Sequence, residues 1–157
     1  MSNTTTTPNE HRVLRLWVRR AEAATPDEQP ALTLIAAEGR DGRGGVEGDH
    51  KLGAKRHVTL IFEDDWNEAT AELGHDVDPA GRRANVLLSG GDGGALIGTT
   101  VHIGETVIDI RSETAPCDIM NQAADGLEDA LKPNCRAGVW GVIRTGGTLR
   151  VGDALQR

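Results

Sequence analysis

The chain has 157 residues, a length that indicates one domain. Its formal net charge of −7 at pH 7 argues against general binding to nucleic acid. No stretch comes near the roughly 20 consecutive apolar residues that a membrane-spanning helix needs. We therefore expect neither nucleic acid nor a membrane as a partner.

The N-terminal segment MSNTTTTPNE has no basic region and no apolar region, so it lacks the features of a secretory signal peptide. We expect residues 1–10 to be a disordered leader and residues 11–157 to form a single domain. Without an export signal, the expected location is the reducing cytoplasm, where both cysteines would be free thiols.

The composition favours a fold built mainly from β-strands. Twenty glycines promise frequent tight turns, and the scarcity of aromatic residues requires an aliphatic core. Three apolar runs in the first half predict strands: 13–18, 31–39 and 57–62. The segment 39–56 between the last two runs holds six glycines, which predicts a long loop.

Residues 63–74 predict a helix, which Asp64 or Asp65 would cap and Gly74 would end. The segment 85–88 predicts a short strand. The alternation of apolar and polar residues over 95–112 then predicts two or three strands joined by tight turns.

Helical spacing returns after Pro116 and continues to Pro133, with Gly126 dividing the segment into two short helices. The C-terminal segment predicts a terminal hairpin. Its strands would be VWGVI and TLRVGDAL, and its turn RTGG.

Cys117 follows a proline and opens the predicted helical segment, while Arg111 lies upstream on the incoming strand. A helix N-terminus and a nearby guanidinium favour a thiolate, so this arrangement is typical of a reactive cysteine. The alternative is a small buried hydrophobic residue. For Cys135 we favour the second interpretation over a second reactive thiol.

The five histidines and two cysteines form no CxxC, HxxxH or HExxH motif, so we expect no structural zinc site. Asp49-His50 is the one pair in the Gly-rich loop that we interpret as a candidate functional pair. The alternative interpretation of these two residues is an ordinary polar turn. No phosphate-binding loop, dinucleotide-binding fingerprint or Gly-x-Ser-x-Gly motif occurs.

Cations gather in two loops, which predicts a local anion site in an otherwise acidic chain; a pair of solvated loops is the alternative. These cations are Arg40, Arg43, Lys51, Lys55, Arg56, Arg82 and Arg83.

Five segments follow one another in an order that resembles the MOSC domain family, named for the C-terminal domain of molybdenum-cofactor sulfurases. The segments are GVEGDHKLGAKRHVTLIF, PAGRRANVLLSG, LIGTTVHIGETVIDI, APCDIM and RAGVWGVIRTGGTLRVGDAL. The resemblance covers residues 30–155 and indicates a small stand-alone member.

The resemblance implies a mainly β fold, a MOSC-like β-barrel with a few short helices. It also implies that Cys117 carries sulfur as a persulfide or contacts molybdenum in a bound pterin cofactor. The chain is too short to include a desulfurase domain, so no pyridoxal phosphate is expected. It lacks the additional N-terminal barrel of the family's molybdenum-cofactor reductases, which leaves that cofactor open.

The leading hypothesis is a sulfur carrier, sulfurtransferase or carbon–sulfur lyase acting on a small anionic substrate. Cys117 would be the nucleophile and His50 would move a proton, while five further residues would bind and orient the ligand. Those five are Asp49, Arg56, Arg83, Asn85 and Arg136.

Two other hypotheses remain. One is a molybdenum-cofactor-binding module with Cys117 as the metal ligand, serving a redox partner. The other is a structural or regulatory role. A desulfurase is a candidate partner for the sulfur hypothesis, and an exposed barrel edge would allow a homodimer.

Overall fold

The structure, a computed structural model, describes residues 11–22, 24–37 and 42–157. The predicted leader and Arg40 lie outside the described residues. No helix in the described part of the chain is both long and apolar enough to cross a membrane.

Strands dominate the described residues. The strands are β1 (His11–Val18), β2 (Asp27–Gln29), β3 (Ala31–Ile35), β4 (Gly45–Val46), β5 (Val58–Phe62), β6 (Val86–Leu88), β7 (Thr100–Ile103), β8 (Thr106–Glu113), β9 (Val139–Thr145), β10 (Gly147–Arg150) and β11 (Ala154–Gln156). The main sheet has the order β11-β7-β8-β9-β5-β6-β1-β2, and β11 also pairs with β1. Seven strands therefore close a barrel, which confirms the predicted fold class.

Short helices connect the strands. The α-helices are α1 (Glu63–Leu73) and α2 (Leu127–Ala130), and the 3-10 helices are η1 (Pro79–Arg82), η2 (Gly93–Leu96), η3 (Asp118–Gln122) and η4 (Pro133–Cys135). Gly74 ends α1 in the left-handed conformation, as predicted, but Phe62 occupies the N-cap position. The Asp65 carboxylate instead accepts the backbone N–H groups of Asp92 and Gly93, so the predicted cap is wrong.

The main core follows the strand period of two. Leu16, Leu60 and Leu88 are fully buried in one cluster of aliphatic side chains. Their strand neighbours Trp17 and Leu87 belong to a second cluster, because successive residues of a strand point to opposite faces. This second cluster includes Ala84 and is packed against by Ala80, so η1 and the segment after it cover the outer face of the barrel wall.

The predicted C-terminal hairpin is wrong. β9 pairs with β5 and β8, whereas β10 pairs with β3 in a separate three-stranded sheet. The chain leaves the barrel wall at Gly146-Gly147, where a Cβ on Gly146 would lie 2.5 Å from the Leu34 carbonyl oxygen. β11 then returns to the wall between β1 and β7.

The barrel wall closes on itself, and the edge that remains in the main sheet is β2, a strand of three residues that pairs with β1. The β10 edge of the small sheet is blocked, since Glu105 accepts the Thr148 N–H and Asp153 accepts the Arg150 N–H. Carboxylates at these positions oppose pairing with another strand. The homodimer expected from an exposed edge stays a prediction, with β2 as the edge that would pair.

His57 is a buried group whose ionisation opposes folding. Its ring is 3% exposed, and its Nδ1 accepts the Ile143 N–H at 3.0 Å. Burial lowers the pKa of His57 below its usual value of 6.5. Below pH 6.5 the unfolded chain therefore takes up a proton that the folded chain does not, and the free energy of unfolding falls.

We expect the free energy of unfolding of the parent chain to fall between pH 7.5 and pH 5 through His57. His57→Gln should remove this component, which urea unfolding at the two pH values would measure. His75→Gln, at an exposed histidine, is the matched control. An identical pH dependence in parent and His57→Gln chains would contradict the assignment.

Candidate functional site

Cys117 lies on the surface directly after β8. It is exposed and occupies the N-cap position of η3, where its carbonyl accepts the Met120 N–H. The predicted helical segment is in fact divided at Gly126, as expected, into η3 and α2. η3 is a 3-10 helix of five residues, too short for a helix dipole to supply the predicted stabilisation of a thiolate.

The charge near the thiol comes from Arg82 instead. The charges of Arg19, Arg56 and Cys117 each act on Arg82, which places each of these three side chains within electrostatic reach of Arg82. Burial, followed by repulsion from Arg19, lowers the pKa of Arg82 to about 10, and attraction to the Cys117 thiolate opposes that fall. Arg82 remains a cation at neutral pH.

Among the described residues, the hydrogen-bond partners of Arg82 are all neutral groups. Its side chain is 7% exposed, its Nε donates to the Ala137 carbonyl at 2.6 Å, and its Nη2 donates to Thr114 Oγ1. Thr114 Oγ1 donates in turn to the same carbonyl at 2.8 Å. No described carboxylate forms an ion pair with Arg82, so its charge is available to an anion beside Cys117.

Arg19 was not predicted as a site residue. Its Nη2 contacts Asp49 Oδ2 at 3.1 Å and Asn85 Oδ1 at 3.4 Å, and Asp49 Oδ1 also accepts its backbone N–H. Asn85 Nδ2 donates to Asp49 Oδ2, while Asn85 Oδ1 accepts the Thr59 N–H. The predicted ligand residues Asp49 and Asn85 thus meet around Arg19, and these bonds position that arginine.

His50 lies on the same turn as Asp49. Both its backbone N–H and its ring Nδ1 contact the Arg19 carbonyl, at 2.7 Å and 3.1 Å. The Nε of Arg19 is buried and has no hydrogen-bond partner among the described residues. A polar cluster built around the buried Asp49 carboxylate therefore connects His50, Asp49 and Asn85 to Arg19, whose charge acts on Arg82.

Arg56 is exposed, and its guanidinium lies 5.4 Å from the centre of the Trp140 ring. It forms no ion pair within the described ranges. Stacking on Trp140 holds the cation at the outer face of β9 without neutralising it. Of the predicted ligand-binding arginines Arg56, Arg83 and Arg136, Arg56 is the one whose guanidinium is open to a ligand.

Arg83 and Arg136 are engaged elsewhere. Arg83 donates to backbone carbonyls of the preceding turn, at 2.6 Å to Ala24 and 2.6 Å to Glu22. Arg136 is buried, donates to the Ala130 carbonyl at the end of α2, and pairs with Glu72 of α1 at 2.8 Å. Their guanidinium groups hold the protein's own backbone and helices, so we leave both out of the ligand-binding set.

Cys135 has the opposite electrostatic surroundings. Burial raises the pKa of its thiol, and the charges of Glu113, Asp65 and Asp92 raise it further. Its backbone is left-handed, at φ 57°. A thiol beside carboxylates stays protonated and is a poor nucleophile. No group of three or more His, Cys, Asp or Glu side chains in the described residues could hold a metal ion.

The MOSC domain family matches residues 47–156, which include Asp49, Arg82, Asn85 and Cys117. The chain belongs to the MOSC domain family. This match confirms the resemblance seen in the sequence and covers well over half of the chain.

Solved structures agree with the MOSC assignment at the level of the fold. The YUAD protein of Bacillus subtilis is 15% identical, with a TM-score of 0.77 over 93% of this chain and 94% of that one. YiiM from Escherichia coli is 16% identical, with a TM-score of 0.66 over 92% of this chain and 68% of that one. No curated protein matches the sequence.

The contrast between the two thiols of this MOSC domain predicts selective alkylation. At pH 7.5 iodoacetamide should modify Cys117 at least about tenfold faster than Cys135, since Cys117 is exposed beside cations whereas Cys135 is held protonated. Mass spectrometry of the two cysteine peptides over time would measure both rates. Equal rates, or a faster Cys135, would contradict the electrostatic assignment.

The cluster around Arg19 predicts a stability cost. Asp49→Ala should lower the free energy of unfolding by about 2–4 kcal/mol, because the Asp49 side chain is 2% exposed and its loss leaves a partly buried guanidinium unpaired. Glu28→Ala, which removes an exposed partner of Arg15, should cost less than about 1 kcal/mol. Similar losses in urea unfolding would show that the Arg19 cluster is not a buried unit.

Proposed function

We propose that this MOSC domain handles sulfur through Cys117, taking a sulfane sulfur atom from a small anionic donor. The observation that carries the proposal is Arg82, a buried cation without a described carboxylate partner, whose charge interacts with the exposed Cys117. Burying an unpaired charge costs several kcal/mol, and a thiolate or a bound anion offsets part of that cost. The site is thus suited to negative charge.

The proposed step is a thiol–persulfide exchange. The Cys117 thiolate attacks the outer sulfur of a donor R–S–SH, a new S–S bond forms on Cys117, and the old S–S bond breaks. The products are Cys117–S–SH and the thiolate R–S⁻, so atoms, protons and electrons balance. No external oxidant or reductant takes part.

Three guanidinium groups contribute differently to this step. Arg82 attracts the Cys117 thiolate from the protein interior. Arg56, without a described ion pair, binds the anionic group of the donor from the surface. Arg19 is held by Asp49 and Asn85 and adds a fixed positive charge that acts on Arg82.

His50 is the proposed proton acceptor. Its Nδ1 faces the Arg19 carbonyl, and in the neutral ring this nitrogen carries the proton and donates it. Nε2 is then the free base, the state required to take the thiol proton of Cys117.

The proposal also includes cleavage of a carbon–sulfur bond by the same thiolate. In that reaction the attacked atom belongs to a thioether or related group. Free thiols make a reducing compartment such as the cytoplasm the proposed location.

A second candidate function is favoured by the same arginines. A molybdenum–pterin cofactor carries a phosphate and accepts a thiolate ligand, and the residues present fit both groups: Cys117 would bind the metal, and Arg56 and Arg82 would attract the phosphate. When bound, the cofactor would supply redox chemistry for a partner protein. The chain's own residues would bind and orient it.

The sulfur proposal predicts a persulfide on Cys117. Purified protein incubated with inorganic polysulfide and then trapped with iodoacetamide should gain one sulfur atom on the Cys117 peptide. Cys117→Ser should abolish the adduct, and Cys135→Ser should leave it unchanged, because the Cys135 thiol stays protonated. A persulfide that forms equally well in the Cys117→Ser chain would rule the proposal out.

Elemental analysis separates the two functions. Protein purified from a host that makes the molybdenum cofactor should contain no stoichiometric molybdenum under the sulfur proposal. Stoichiometric metal that disappears in Cys117→Ser would favour the cofactor-binding function.

A further inference from the structure

A groove of about 320 Å³ lies between the two 3-10 helices that form the site. Residues from the 25–26 turn, from η1 and from the η3 segment line it: Thr25, Pro26, Ala80, Gly81, Arg83, Ile119, Gln122 and Ala123. Its lining is mainly apolar and built from small side chains. Cys117 itself is not part of the lining, so the groove is distinct from the sulfur site described above.

The groove and the thiol site share the same two short helices. η1 contributes Ala80 and Gly81 to the groove and Arg82 to the charged cluster. Cys117 caps η3, whose next residues include the groove residue Ile119. The groove residue Ile119 lies two residues after Cys117 in the chain. A molecule that reacts at Cys117 therefore meets an apolar recess formed by the same short helix.

The groove is shaped by close contacts. A Cβ on Gly81 would lie 2.7 Å from the Ala123 Cβ, so η1 and the end of η3 approach as closely as a glycine permits. Arg83 holds the opposite wall by its hydrogen bonds to the carbonyls of Ala24 and Glu22. These contacts fix the shape of the groove, and the role of Arg83 is to hold one of its walls in place.

We propose that this groove binds the organic body of the sulfur donor. The donor class is then a small organosulfur compound that joins an apolar body, such as an aromatic ring, to an anionic group. The exposed Arg56 complements the anion, the buried charge of Arg82 adds to the positive potential, and the small apolar residues of the groove receive the body. This inference rests on the proposed sulfur chemistry at Cys117.

Thiol probes of graded structure test the groove. The symmetric disulfide of thionitrobenzoate has an aromatic ring and a carboxylate, dipyridyl disulfide has a neutral ring, and iodoacetamide has neither. In each disulfide reaction the Cys117 thiolate forms a mixed disulfide and releases one aromatic thiolate. Rate constants are measured for the full chain with Cys135→Ser, so that only Cys117 reacts.

Ala123→Leu fills part of the groove from an exposed position, so the fold should persist. It should slow both aromatic disulfides about tenfold and change the iodoacetamide rate by less than about twofold. Arg56→Gln should slow the nitrobenzoate disulfide alone. Ala71→Leu, on the exposed face of α1, is the matched control and should leave every rate unchanged.

Equal rates for Ala123→Leu and Ala71→Leu with both aromatic disulfides would overturn the groove proposal. If Ala123→Leu shifts the unfolding midpoint, Gln122→Trp replaces it as the groove-filling variant. Inorganic polysulfide has no organic body, so Ala123→Leu should still acquire a persulfide on Cys117. A parent chain that acquires none refutes the sulfur function itself, which keeps the two failures distinct.

Discussion

The buried Arg82 guanidinium is the contact on which the candidate site depends. It joins η1 to the end of β8 through Thr114 and to the start of β9 through the Ala137 carbonyl. Hydrogen bonds to neutral acceptors satisfy two of its nitrogens but leave its charge uncompensated, and the desolvation of an ion costs several kcal/mol. The buried charge lies beside Thr114, and Cys117 follows Thr114 by three residues in the sequence. A structure selected for stability alone would gain from an apolar residue there, which makes the charge itself the feature to explain.

Much of the fold could be predicted from the sequence because the strands carry a clear period of two. β8 alternates buried and less buried residues over Thr106–Ile110, and β5 is an almost continuous apolar run. The pairing partners could not be predicted in the same way. β9 and β10 are adjacent in sequence and look like a hairpin, yet register and partner choice depend on contacts with β3, β5 and β8 that no local pattern contains.

The site was predictable in part, for a similar reason. The sequence proposes Cys117, His50 and Asp49 as site residues through short motifs in the order that resembles the MOSC family, and these positions stay predictions. Arginines are common in this chain, and the sequence does not show what receives each guanidinium. Arg83 and Arg136 bind backbone carbonyls and helix carboxylates, whereas Arg19, which looks like an ordinary strand-end residue, becomes the centre of a polar cluster. The deciding contacts are long-range in the chain.

The two cysteines lie in different electrostatic surroundings within one small domain. Both are free, and neither lies in a long helix whose dipole could favour a thiolate. The difference comes from the side chains that the barrel wall and its connections bring to each: the charge of Arg82 interacts with Cys117, whereas the carboxylates of Glu113, Asp65 and Asp92 act on Cys135. Coulomb interactions are screened less at a partly buried position such as that of Cys135, so these carboxylates raise the pKa of its thiol. The proposed nucleophile is therefore the cysteine whose own 3-10 helix also lines the apolar groove, and under the proposed function charge and shape act on the same substrate.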